Sequence, residues 1–328
     1  MLITGATGFI GQKLVKRLTI EGHTCLCLVR NAEKAKGLLD LSNTEFIYGD
    51  IREKLDLSAH NDKIDVVVHL AALMGHDPPS EEAFMKFRSI NVDGTENVID
   101  ACMAINVKKF IHCSSTAAMG LLTDEVVNEE SISKPYTPYQ VSKYESELLV
   151  NKLYNKYEFP AVILRPSMVY GPGFTGDFLT MAKVVKKGFF PKIGFGKNLM
   201  PALYIDDLID GIIKAIDNAK IGDTYIISSE KSYPLNRVIK IISQEVGVKC
   251  KSVFVPTPVA LLGSWVLEKG CKLINRQPIV TYRNIKSTVT DRIFDVNKAK
   301  EVLGFQQRVS IEDGLSKTIA YYKSAGLL

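Results

Sequence analysis

Tyr139 and Lys143, in the stretch TPYQVSKYESE, stand four residues apart. On a helix that spacing stacks the two side chains on one face. A phenol beside an ammonium can exchange a proton, provided its pKa falls from about 10 toward neutrality. A nearby positive charge pulls it that way. The same spacing recurs at Tyr282 and Lys286, in YRNIK. In a chain with 13 tyrosines the spacing alone selects neither pair, so the surroundings must decide.

The first surrounding feature is ITGATGFIG at the amino end. Gly5, Gly8 and Gly11 punctuate a turn from a first strand into a helix, with Thr7, Phe9 and Ile10 between them. Glycine is required where backbone turns sharply and approaches a ligand. The free N–H groups of the new helix then face a diphosphate, as in dinucleotide sites. An acidic residue closing the second strand would take the ribose 2′-hydroxyl of NAD. Arg30 stands there instead, with Lys34 behind it, and cations suit a 2′-phosphate. The expected cofactor is therefore NADP(H) in preference to NAD(H). Asp50, after the third strand and followed by Ile51, is expected near the adenine amino group. Leu70, Ala71 and Ala72 follow His69 and are small enough for a cofactor to lie over the strand end. His69 itself reads as a core histidine. Asn91 is a poor helix former in a helical stretch, so a hydrogen-bonding task is expected of it. Ser114 and Ser115 end the fifth strand, at the level where parallel sheets hold ligands. A serine hydroxyl there can give the reacting oxygen a second hydrogen bond. Tyr282 and Lys286 are remote from every strand end in the dinucleotide-binding half.

These residues need a scaffold of alternating elements. The β-rich runs LIT, TCLCLVR, TEFIYGD, DVVVHLAA, KFIHCSS and AVILRPS alternate with helix-periodic segments over 11–21, 82–106 and 139–157. That order predicts βαβ units and a parallel sheet covered on both faces, with DVVVHL buried on both sides. After Arg165-Pro166, glycine and proline accumulate, then LYIDDLIDGIIKAID and GDTYIIS restore a strand–helix–strand pattern. From Pro234 the chain reads as mostly helical. The expected fold is α/β, a doubly wound parallel sheet of the Rossmann type with a smaller, mostly helical substrate domain. The dinucleotide-binding domain is assigned to 1–169 and 203–229, the substrate-binding domain to 170–202 and 230–328.

Composition fits a soluble globular chain: 46% hydrophobic, 23% charged, net charge +5. No dense block of lysine and arginine marks a nucleic-acid arm. The six cysteines sit mostly in apolar runs, the pattern of reduced thiols in a cytoplasmic protein. Cys25 and Cys27 should share one sheet face, and no second pair offers metal-ligand spacing, so no metal is expected. No signal peptide or transmembrane segment is read: PVALLGSWVLEKG is too short to span a bilayer, although an amphipathic helix there could meet a membrane surface or a partner. The expected partner is a small-molecule substrate, and a homodimer is a possible assembly.

With TGATGFIG, HLAA, NVDGT, the serine pair, YQVSK, RPSMVYGPG and YIDDL in that order, the chain resembles the extended short-chain dehydrogenase/reductases, the NAD-dependent epimerase/dehydratase superfamily. The resemblance reaches the terminal DRIFDVNKAKEVLGFQQRVSIEDGL. It implies Tyr139 as acid and base, Lys143 as its modulator and ribose ligand, and Ser115, with Ser114 as alternate, as partner of the substrate oxygen. Asn91 would support the site, and Pro166, Ser167 and Met168 would pass beside the nicotinamide. Dehydratases of the family carry an Asp-Glu pair where this chain has Thr116, Ala117 and Ala118. Nucleotide-sugar epimerases show an arginine before the YIDDL-like strand; here that stretch reads GKNLMPALYIDDL, with Lys197 its only cation. The chain looks more like the dihydroflavonol-reductase and 3β-hydroxysteroid-dehydrogenase branches. An apolar substrate cleft is accordingly expected from Met74, Met119, Tyr170, Phe174, Phe178 and Phe195, with no arginine among them. Three functions stay open: an NADP(H)-linked oxidoreductase of an apolar ketone or secondary alcohol, an NAD-dependent nucleotide-sugar epimerase, and a non-catalytic dinucleotide-binding scaffold or sensor.

Overall fold

The computed structural model describes residues 1–39, 43–122, 126–273 and 281–328. Among them the strands are β1 (Leu2–Thr4), β2 (Cys25–Val29), β3 (Thr44–Tyr48), β4 (Val66–His69), β5 (Lys109–Cys113), β6 (Ala161–Pro166), β7 (Met168–Tyr170), β8 (Phe189–Ile193), β9 (Leu199–Met200), β10 (Ala202–Tyr204), β11 (Thr224–Ile227), β12 (Tyr233–Pro234) and β13 (Lys251–Val255). The α-helices are α1 (Phe9–Ile20), α2 (Ala32–Lys36), α3 (Glu81–Asn91), α4 (Asp93–Ala104), α5 (Pro138–Tyr157), α6 (Asp177–Lys186), α7 (Ile205–Asn218), α8 (Leu235–Val246), α9 (Thr257–Leu273), α10 (Tyr282–Val289) and α11 (Ile311–Ser324).

Seven strands form one parallel sheet in the order β11-β6-β5-β4-β1-β2-β3. The chain runs outward from β1 to β3, then returns to lay β4, β5 and β6 on the other side. The order reverses at β1, where a crevice opens beyond the carboxyl ends of the strands. The period-two pattern of β2 shows how both faces are sealed. Cys25, Cys27 and Val29 join one core with Leu14 and Leu18 of α1 and Ile212 of α7. Leu26 and Leu28 join the other, with Val98 and Ile99 of α4 and Val150 of α5. Cys25 and Cys27 thus share a face, and burial pushes their thiols up to about 11 and about 12.

The helical stretch expected over 82–106 is two helices. The Thr95 hydroxyl donates to the Asn91 carbonyl at 2.7 Å, a side-chain competitor for helical backbone pairing, and α3 ends there.

Beyond β6 three two-stranded sheets follow: β7 with β10, β9 with β12, and β8 with β13. The catalytic helix candidate, α5, is tied to β6 by a buried ion pair. Arg165 Nη2 donates to Glu147 Oε2 at 2.8 Å and its Nη1 to the Glu129 carbonyl at 3.1 Å. The Glu129 carboxylate in turn accepts from the Ile226 amide of β11 at 2.8 Å.

Candidate active site

The amino end of α5 is fixed before any chemistry is considered. Thr137 Oγ1 accepts from the Gln140 amide at 3.3 Å, and Gln140 Oε1 accepts from the Thr137 amide at 3.2 Å. Pro138 opens the first turn. This capping box satisfies amides that a helix start leaves unpaired, and it holds Tyr139 in that first turn. The Ser115 side chain is near enough to the Tyr139 phenol to favour its ionised form. Ser115 Oγ accepts from the Ala117 amide at 3.1 Å, which leaves its proton to be donated. One turn further along α5, Lys143 is buried and its Nζ donates to the Cys113 carbonyl at 2.8 Å. An ammonium has three donors, and among the described residues this is the bond Lys143 makes. Two donors remain for a diol.

The electrostatics depart from the expectation. Burial pushes the Tyr139 phenol up to about 12, and the group that pulls it back is Ser115, with Cys113 adding to the rise. Lys143 faces Cys113 and does not lower the phenol in the protein by itself; its own pKa is lowered by burial, with Cys113 and Glu147 opposing. Ser114 stands beside Ser115 with Oγ buried and without a partner among the described residues.

Asn91 meets its expected hydrogen-bonding task at a different place. It does not touch the phenol. Its Oδ1 accepts from the Leu73 amide at 2.7 Å, and its Nδ2 donates to the Leu73 carbonyl at 3.0 Å and to Ser142 Oγ at 2.9 Å. Asn91 thus pins the segment after β4 to α5. His69 is a core residue: its ring contacts Thr4 Oγ1 at 2.8 Å and Thr95 Oγ1 at 3.0 Å, and burial lowers its pKa to about 3.

The glycine loop is built for close approach. Gly5 has φ +69°, and a Cβ there would lie 2.7 Å from the Ala71 nitrogen. A Cβ on Gly11 would lie 2.2 Å from the Gly5 carbonyl oxygen. Gly8 is exposed and caps α1, whose first turn carries neither an acidic residue nor a side-chain cap. Thr7, Phe9 and Ile10 ring this helix start, and Leu70, Ala71 and Ala72 face it from the end of β4; the Ala71 amide donates to Thr4 Oγ1 at 3.2 Å. At the far end Arg30 is 73% exposed, with Nη1 4.0 Å from Asp50 Oδ2. Lys34 is exposed on α2, its amide capped by Asn31 Oδ1 at 2.9 Å. Asp50 is engaged differently from the expectation: Arg52 Nη2 donates to its Oδ2 at 2.6 Å, and Arg52 holds the carboxyl down at about 2. Ile51 is buried against Gly94, so its backbone is what it can offer a base. Pro166 ends β6 and Met168 opens β7. Ser167 Oγ between them donates to the Pro201 carbonyl at 3.0 Å and accepts from Ser228 at 2.9 Å, so that hydroxyl serves the fold.

A nicotinamide dinucleotide fits these residues on three counts: an open helix start at Gly8, two unspent donors on Lys143, and the orphaned Ser114 hydroxyl. The expected apolar cleft fares less well. Tyr170, Phe178 and Met119 are sealed in the cores, at 1%, 0% and 1% exposure. Their apolar character goes into packing; Tyr170 stacks on Phe178 at 4.6 Å. Phe174 packs on Phe9 at 5.2 Å, while Met74 and Phe195 are exposed.

The residue that sequence reading missed is Arg292. Its amide donates to the Leu199 carbonyl at 3.1 Å and its carbonyl accepts from Ser232 Oγ at 2.7 Å. The guanidinium Nε is buried and without a partner among the described residues. Burial lowers its pKa, opposed by Asp177, three residues beyond Phe174. An arginine thus reaches the stretch GKNLMPALYIDDL from 93 positions away.

Comparison with known proteins agrees with this architecture. Residues 1–228 match the NAD dependent epimerase/dehydratase family. The chain belongs to that family. It is 25% identical over 324 residues to the Escherichia coli O157:H7 N-acetyl-alpha-D-glucosaminyl-diphospho-ditrans,octacis-undecaprenol 4-epimerase, covering 98% of this chain and 94% of that one. It is also 25% identical over 350 residues to isoform 1 of the Arabidopsis thaliana 3beta-hydroxysteroid-dehydrogenase/decarboxylase, covering 97% and 78%. Among solved structures, UDP-glucuronic acid 4-epimerase from Bacillus cereus, in complex with NAD, superposes with a TM-score of 0.79 at 26% identity over 99% and 98% of the two chains. The chain is an enzyme of the short-chain dehydrogenase/reductase type on a Rossmann fold. Among the described residues no helix is long and apolar enough to cross a membrane.

Proposed function

We propose that this enzyme oxidises and reduces a secondary carbinol carbon of a diphosphate-linked sugar, with epimerisation at that carbon as the net reaction. The observation that carries the reading is Arg292, a guanidinium with a buried, unpartnered Nε beside Leu199. A buried N–H donor without a partner is costly, and a diphosphate oxygen would supply the partner. Relatives of both kinds, sugar epimerase and steroid dehydrogenase, occur in the family. The sealed positions of Tyr170, Phe178 and Met119 remove half of the apolar cleft that favoured a steroid-like substrate.

A bound nicotinamide dinucleotide supplies the hydride acceptor and donor. The chain's own residues do the rest. Ser115 donates to the substrate oxygen and keeps it near the phenol. Tyr139 takes the hydroxyl proton as the carbon is oxidised and gives it back to the same oxygen when the ketone, turned over in the site, is reduced on its opposite face. Lys143 binds ribose with its two free donors, and its charge, brought into the hydrogen-bonded path, favours the phenolate. Positioned proton transfer of this kind contributes about 10²–10⁴ in rate.

The cofactor is proposed to be NADP(H), on the strength of Arg30 and Lys34 at the end of β2 and the engagement of Asp50 by Arg52. The solved relative named above is in complex with NAD, so both cofactors belong in the test. Arg30 also favours a second reading, a net NADP(H)-linked reduction with cofactor exchange at each turnover.

The experiment is calorimetry and turnover with UDP- and dTDP-sugars beside a panel of apolar ketones, on the parent protein and on Arg292→Leu. The expected result is sugar-nucleotide binding that weakens by about 10–100-fold in the variant, the worth of a charge-assisted hydrogen bond. Reduction of apolar ketones with no sugar-nucleotide binding would return the site to the ketone reading.

A further inference from the structure

A feature the active site leaves unused is an apolar face on the chain's second half. Nine of the 22 exposed large hydrophobic side chains among the described residues fall in two short segments, 189–195 and 253–267. They are therefore clustered rather than scattered, and clusters of this kind mark interaction surfaces. The two segments meet in space, since β8 pairs with β13 and the rings of Phe195 and Phe254 are 5.6 Å apart. Strand β13 leads through Pro256 directly into α9.

Helix α9 is patterned the wrong way round for a helix that merely packs on its own protein. Among the described residues of the helix, Ser264 is the buried one, at 5% exposure. Leu262 and Val266, two positions either side, lie about 200° round the helix from it, at 63% and 55% exposure. Trp265, beside them, is 50% exposed. The aliphatic stripe faces outward and the serine inward.

The charge of the residues that flank these two segments names the occupant. Residues 186–195 and 249–269 hold six lysines and one acidic residue, Glu268. Lys269 Nζ stands 6.0 Å over the Trp265 ring. A second copy apposed on this face would meet its own positive charge. A nucleic acid would leave the aliphatic stripe uncovered. An anionic bilayer satisfies both parts: hydrocarbon for the stripe, to a depth of about 5–10 Å, and lipid phosphates for the lysines.

We propose that the outward face of α9, with the edge of β8 and β13, docks this enzyme peripherally on an anionic membrane surface. The inference concerns where the enzyme works and stands whichever substrate is correct.

Trp265 is the single tryptophan of the chain, so its emission reports on this face alone. The full-length protein is mixed with vesicles of phosphatidylcholine containing phosphatidylglycerol, and with phosphatidylcholine vesicles alone. The expected result is co-sedimentation with the anionic vesicles, a blue shift of Trp265 emission and its protection from iodide, all weakened by added salt. The double variant Leu262→Glu/Val266→Glu, both positions being exposed, should keep its circular dichroism and cofactor affinity and lose at least about 10-fold in vesicle affinity, as expected for buried aliphatic area. Absence of sedimentation and of any spectral change would overturn the proposal. So would vesicle binding that the double variant retains. Trp265 already shielded from iodide without vesicles, together with a mass that doubles with concentration, would assign the face to a second copy instead.

Discussion

Helices α5 and α10 carry the same pair at the same spacing and share almost nothing else. In α5, Tyr139 and Lys143 stand at the end of β5, within reach of Ser115 and the Cys113 carbonyl. In α10, Tyr282 is 39% exposed and Lys286 is exposed. The Tyr282 amide donates to Glu268 Oε2 at 3.2 Å. Burial displaces both pKa values in α5. The lesson is that spacing only puts a phenol and an ammonium on one face; strand ends, caps and burial turn the pair into a proton carrier.

The sharpest test of that contrast replaces each phenol. Tyr139→Phe should lower kcat by about 10²–10⁴ and leave cofactor affinity within a few-fold, because the lost group serves the transition state. Tyr282→Phe should change neither. Ordinary turnover in Tyr139→Phe would dissolve the difference between the helices.

Next come the lysines. Lys143→Met should weaken cofactor binding by about 10–100-fold, the range of charge-assisted hydrogen bonds, and slow turnover as well. The sign of its pH effect follows from the phenol, which burial holds at about 12 in the protein alone. The reactive form is the phenolate, so kcat/KM should rise with pH. A cation favours phenolate, so removing Lys143 should move that rise to higher pH. Lys286→Met should leave both affinity and profile in place. A profile unmoved by Lys143→Met would make that residue a ribose ligand only.

A smaller effect is expected at the opposite end of the cofactor. Arg30 is largely exposed, so screening reduces its worth. Arg30→Asp should shift the ratio of NADP(H) to NAD(H) affinity by about 10-fold toward NAD(H), about 1.4 kcal/mol. Equal affinities in the parent protein would remove the role given to Arg30. The smallest change concerns the helix start. Thr137→Val breaks the capping box of α5 and should cost about 1 kcal/mol of stability in denaturant titration. Turnover should fall further than stability explains, since Tyr139 lies in the turn that Thr137 fixes. Equal losses in stability and rate would make the cap a purely structural one.

Several parts of this site could be read from the chain because local rules specify them. Three glycines after a strand can serve only backbone geometry, and Gly5 and Gly11 are hemmed in by backbone in the way such positions require. Ser114 and Ser115 were placed at the ligand level by the rule that parallel strands present ligands at their carboxyl ends, and Tyr139 was joined to them by the resemblance. Other parts depended on contacts that no local pattern encodes. Arg292 meets Leu199 through a backbone hydrogen bond between segments far apart in sequence. Asp50 was expected to serve the adenine; its ion pair with Arg52, two residues on, could not be read from the chain. Tyr170 and Phe178 look identical in sequence whether they line a cleft or fill a core, because apolarity carries no direction. The break between α3 and α4 was hidden for the opposite reason: it is a single residue, Val92, in an otherwise continuous helical pattern.

The ion pair between Glu147 and Arg165 constrains how this sequence can change over generations. Glu147 is 2% exposed and sits one turn after Lys143 on the catalytic helix. Losing either partner alone strands the other charge in the interior, at a cost of about 3–5 kcal/mol, a large share of the stability of an ordinary domain. Replacing both together with well-packed apolar residues can be neutral or better. The viable sequences on either side of that double replacement are thus separated by a valley that single substitutions must cross. A lineage of this enzyme is expected to keep both residues or to exchange both, and the helix that carries Tyr139 inherits its register from whichever choice was made.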